Sequence, residues 1–165
     1  MKQLTWEEYY DGFYGWSSST QKSYAYRLSD YGPADEVWEI AEELDFVDSA
    51  FAAKFLEKAF SAGVRFTPEQ VLEMVAMVDQ SLLSKMAEQT TVPFNREQLE
   101  EIYLMIDDFS FRKISRRSRI DVFDDVKELR RQAAASSAAR PKKKGGLLSA
   151  LAAFAAGAAV AGHLN

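Results

Sequence analysis

The sequence predicts an all-α fold made of tandem antiparallel helical hairpins, followed by an Ala/Gly-rich apolar tail helix. Three observations carry this prediction. Residues 66–86, "FTPEQVLEMVAMVDQSLLSKM", align without gaps on residues 94–114, "FNREQLEEIYLMIDDFSFRKI", matching Phe66 to Phe94, Gln70 to Gln98, Met77 to Met105 and Asp79 to Asp107. Apolar side chains recur at helical spacing within each copy. Helix-start residues stand at the same places in both.

The elements follow in order along 165 residues. A degenerate first unit covers about 4–30, where Thr5 and Glu8 have the spacing of a capping box. Its aromatic cluster, Trp6, Tyr9, Tyr10, Phe13, Tyr14 and Trp16, falls at the spacing of a buried stripe. The same density would also serve a sugar- or peptide-binding surface. The second unit, 31–63, contains "ADEVWEIAEELDFVDSAFAAKF" and keeps the design with a short insertion.

The third and fourth units, 66–91 and 94–119, open with Thr67/Gln70 and Asn95/Gln98, and Pro68 occupies a first helical position. Their first helices bury Val71, Met74, Val75 and Val78, then Leu99, Ile102, Tyr103 and Ile106. The second helices present Phe51, Phe55 and Ala59, then Leu82, Leu83 and Met86, then Phe111 and Ile114. A last helix spans 122–135. The repeat domain is thus 3–131, with a basic Ala/Ser/Lys/Gly linker at 132–146 and an apolar tail at 147–165. Stacked two-helix units of this kind make the body α-solenoid-like, although the Trp, Leu-Gly and Tyr pattern of tetratricopeptide repeats is absent.

Asp48, Asp79 and Asp107 each precede a lysine, Lys54, Lys85 and Lys113, by six residues. Asp immediately before a helix is a preferred N-cap, and that role accounts for the recurrence. Glu39, Glu73 and Glu101 recur as well and are expected to face those lysines across each hairpin.

Composition excludes several chemistries. There is no cysteine, and the single histidine is His163, which removes thiol catalysis, zinc-finger chemistry and His-based triads. Neither "SAGVRF" nor "DGFYGW" has the spacing of a phosphate-binding loop. Asp107 with Asp108, and Asp121 with Asp124 and Asp125, lack the loop of a calcium hand and read as helix starts. The expectation is a non-enzymatic chain with no cofactor, no metal site and no small-molecule substrate. The N-terminus shows no signal-peptide core, so a cytoplasmic location is expected.

Charge is unevenly distributed. Residues 1–109 carry 21 acidic and 8 basic side chains, whereas 110–146 carry 12 basic and 4 acidic. Arg112, Lys113, Arg116, Arg117, Arg119, Lys127, Arg130 and Arg131 form a candidate surface for an anionic partner: acidic protein, anionic lipid or nucleic acid. Aromatics for base stacking do not interleave with them, which places nucleic acid behind protein as the expected partner. The helix at 80–88 offers only Lys85 among acidic neighbours and is a poor DNA reader.

The tail from Leu147 to Gly162 would be about 24 Å long as a helix, a turn short of a bilayer core. Lys142, Lys143 and Lys144 lie before it as a cytoplasmic flank would, and Leu147, Leu148, Leu151 and Phe154 supply its apolar anchors. Its expected uses are membrane association, docking on protein or an unstructured end. The chain as a whole reads as a helical-repeat interaction scaffold or adaptor, tethered through this tail. The alternative is a nucleic-acid-binding protein using the basic helix at 112–131.

Overall fold

A computed structural model of the protein describes residues 2–120, 128 and 130–135, and these are all-α, without a named strand. The helices are α1 (Trp6–Gly12), α2 (Ser18–Ala25), α3 (Ala34–Val47), α4 (Ser49–Ser61), α5 (Pro68–Glu73), α6 (Gln80–Glu88), α7 (Arg96–Ile102) and α8 (Asp108–Ser118). Short 3-10 turns extend α1 and α5, at Phe13–Gly15 and Met74–Ala76. Residues 128 and 130–135 are helical as well. The readings of 136–165 as linker and tail, with Lys142, Lys143, Lys144, Leu147, Leu148, Leu151 and Phe154, and that of Lys127, lie outside the described residues.

Local chemistry sets the helix starts. Thr5, Thr67 and Asn95 each form a complete capping box with Glu8, Gln70 and Gln98. Asp48, Asp79 and Asp107 accept the backbone N–H groups of Phe51, Leu82 and Ser110, starting α4, α6 and α8. Asp107 Oδ2 also accepts from Ser84 on α6 at 3.2 Å and from Ser110 at 3.0 Å. These bonds hold the Asp107 carboxyl below its ordinary value of 3.8, the Ser110 backbone N–H contributing most. A depressed carboxyl stabilises the fold fully above that value and loses the contribution as pH falls through its folded-state pKa. Asp107→Ala should therefore cost about 1 kcal/mol at neutral pH. In urea titrations at decreasing pH, its difference from the parent chain should shrink below 3.8.

The apolar stripes bury where helical spacing puts them: Val37, Ile40, Ala41 and Leu44 on α3, Ala52, Phe55, Leu56 and Ala59 on α4, and Leu99 and Ile102 on α7. The N-terminal aromatics pack in or against the core, except Tyr14, which is 60% exposed. Trp6, Tyr9 and Phe13 are buried, and Phe55 reaches Trp6, Tyr9 and Tyr31 from α4 with centroids 5.8–6.5 Å apart. Helix α3 packs on α4, α5 on α6 and α7, and α6 on α8.

Polar bonds join α5 to α3 and α7 to α5. Gln70 donates through Nε2 to Asp35 at 2.7 Å, and Gln98 donates to Glu69 at 2.6 Å. Each glutamine also accepts at Oε1 from its own N-cap backbone, Thr67 or Asn95. One amide thus closes its own helix and ties it to the helix before. Helix α1 has Glu8 at this position, an acceptor only, and there the side chain bonds Thr5 and Lys2. Gln98→Glu should keep the capping box yet replace a donor to the exposed Glu69 with a second carboxylate, lowering stability. Chemical denaturation would measure it. The loss should ease as acid protonates one of the pair.

The lysine pairings expected from sequence do not form. Glu39 accepts from the hydroxyls of Tyr10 and Tyr14, both at 2.7 Å, and Glu73 accepts from the Trp38 indole at 3.0 Å. Lys113 instead lies 3.5 Å from Glu88. The rings of Tyr10 and Trp38 are already packed in or against the core, so little side-chain entropy is lost on bonding.

Candidate functional site

The seven described cations of the eight singled out above do not share one environment. Arg112, Lys113, Arg116 and Arg117 are exposed on α8, and Arg119 is exposed at its left-handed C-cap, with φ 57°. Arg117 is tied into the fold, donating to the carbonyl of Thr90 at 2.7 Å and to its hydroxyl at 3.1 Å. Arg130 is half-buried, donating to the Tyr103 carbonyl at the end of α7 and pairing with Asp108. Its guanidinium also lies within 6 Å of the Tyr103 and Phe111 rings. Arg131 is exposed and pairs with Glu128 at 3.3 Å. Arg130 therefore clasps residues 130–135 to α7 and α8. The cations of α8 are the more exposed.

Charge also divides by helix, a pattern that a count along the chain conceals. Helices α1, α3, α5 and α7 carry fourteen acidic side chains and one arginine. Helices α2, α4, α6 and α8 carry eight basic side chains and three acidic ones. Within the first set, burial and then the neighbouring charges of Glu73, Glu43 and Glu39 push the Glu42 carboxyl above its ordinary value.

A second cationic group lies on α2 and α4. The Tyr26 ring is 65% exposed and meets Phe51 edge-on at 5.5 Å. Lys58 sits over Tyr26 at 4.6 Å, and Lys22 over Phe51 at 5.9 Å, with Lys22 also 3.1 Å from Asp48. Lys54 is exposed one turn from both Phe51 and Lys58. At the adjacent turn Phe46 is 89% exposed, beside Val47 at 51%. Sequence reasoning did not find this group, because a chain-wide count assigns residues 1–109 to an acidic body. The i, i+3 and i+7 spacing of Phe51, Lys54 and Lys58 is the signal that was available.

Among the described residues no group of three or more acidic or histidine side chains is placed to hold a metal ion. No helix among them is long and apolar enough to cross a membrane. No family model, curated protein or solved structure matches the chain.

Proposed function

We propose that the chain is a non-enzymatic helical-repeat scaffold for protein interaction, its hairpins stacked in a short α-solenoid-like array and tethered through the C-terminal tail. The observation that carries this reading is the division of charge between alternating helices. A stack of two-helix units has two layers, first helices in one and second helices in the other. Contacts between α5 and α7 and between α6 and α8, with the bonds from Gln70 and Gln98, fit that arrangement. The layers then carry opposite charge, which orients a charged partner as it approaches.

Recovery of the intact chain from the cells that make it tests this. The scaffold reading expects a partner in fixed proportion, released by salt, from a cytoplasmic or membrane-associated fraction. Recovery of the chain alone at every salt concentration would overturn it, as would turnover of a substrate by the purified chain.

A second reading, nucleic-acid binding through 112–131, draws on the exposed cations of α8. It expects retention on RNA or DNA that weakens steeply with salt and is lost when Arg116 and Arg119 become Ala. No retention at low salt would exclude it.

A further inference from the structure

We propose that the surface of α2 and α4 around Tyr26 docks an acidic helical segment of a partner protein that carries an apolar or aromatic anchor. The inference rests on the scaffold reading and names the partner class. Large apolar side chains are costly to leave in water; Tyr26 is exposed against the half-buried Phe51, and Phe46 and Val47 are exposed at the end of α3, just before α4. Tyrosine and neighbouring aromatics are what a protein interface buries at its centre.

The surrounding charges select the occupant. Lys58 and Lys22 are held against the rings, and Lys54 has no hydrogen-bond, ion-pair or ring partner among the described residues. Lys54 and Lys58 stand at i and i+4, about 6 Å apart, the spacing at which a helix presents successive carboxylates. Asp48 is already paired with Lys22, and Glu57, farther round α4, bounds the patch.

Three lysines beside two carboxylates are too few for a phosphate backbone, which needs an extended cationic track. The fourteen acidic side chains of α1, α3, α5 and α7 would further repel a polyanion or an anionic membrane. A short acidic helix brings fewer charges into that field than a polyanion or a membrane, and it buries the rings. Each exposed ion pair adds under about 1 kcal/mol, so ring burial supplies most of the affinity and the lysines set sign and register.

The experiment uses the intact chain, isotopically labelled for NMR, and a synthetic helical peptide bearing Glu at i and i+4 with Leu and Phe between. The expected result is shift changes confined to residues 22–27 and 46–58. The dissociation constant should rise about tenfold or more, some 1.4 kcal/mol, in the Lys54→Glu/Lys58→Glu double variant and in Tyr26→Ala. No response, an equal response to the same peptide with Lys for Glu, or shifts centred on α8 would overturn the proposal. So would tighter binding at this patch of single-stranded DNA or of phosphatidylserine vesicles. If a native partner is recovered and the double variant retains it fully, the site is wrong and the scaffold reading stands. If no partner is recovered, the scaffold reading itself fails.

Discussion

Phe55→Ala should lower the unfolding free energy by about 3–5 kcal/mol. Phe55 is 3% exposed and stands where α4 meets the N-terminal aromatics, against Trp6, Tyr9 and Tyr31. Its removal takes away ring contacts from both sides of the junction and leaves a cavity that fixed rings cannot fill. Trp6 is pinned through its indole N–H to Glu36 at 2.7 Å, and Tyr9 through its hydroxyl to the Gln21 carbonyl at 2.9 Å. A melting temperature lower by on the order of 10 °C or more is expected in calorimetry. A change of under about 1 kcal/mol would mean that the junction repacks freely and that α1 is not part of the core.

Gly32→Ala should be nearly as damaging, by about 3 kcal/mol. A Cβ at Gly32 would stand 2.0 Å from Trp6 Cδ1 and 2.1 Å from Nε1. The ring cannot yield, since it is buried, bonded to Glu36 and packed on Tyr10 at 6.0 Å. The connection between α2 and α3 must therefore move, and with it Asp30, whose Oδ1 accepts the Trp6 backbone N–H at 2.9 Å. Gly15, where an added Cβ meets nothing within 4 Å, is the control: Gly15→Ala should change the midpoint of unfolding little.

Much of the helical layout was legible because its signals are local. Thr67 with Gln70, Asn95 with Gln98 and the recurrent aspartates are short-range capping chemistry, and each caps the helix that its spacing indicated. The apolar stripes could be read for the same reason. Contacts between units could not, because a repeat specifies what its copies share and not what passes between them. Gln70 and Gln98 read simply as box residues, whereas their second bonds, to Asp35 and Glu69, appear only once the neighbouring helix is placed. Glu39 and Glu73 were assigned to lysines on charge alone, and the structure gives them to Tyr10, Tyr14 and Trp38.

The basic surface was half legible. Counting along the chain found α8 but could not distinguish exposed Arg116 from Arg117, which holds the Thr90 carbonyl. The same counting averaged Lys54 and Lys58 into an acidic segment, although the fold sets Lys58 over Tyr26 and leaves Lys54 exposed one turn away on α4.

The central claim is a scaffold whose two sets of helices carry opposite charge and take different roles. Its most direct measurement is quantitative recovery of the native partner by three forms of the intact chain: parent, Lys54→Glu/Lys58→Glu, and Glu42→Lys/Glu43→Lys, each first shown by circular dichroism to be folded. Reversal on α4 should reduce partner recovery about tenfold, while reversal on α3 should leave it unchanged. Equal recovery by all three forms, or loss confined to the α3 variant, would contradict it.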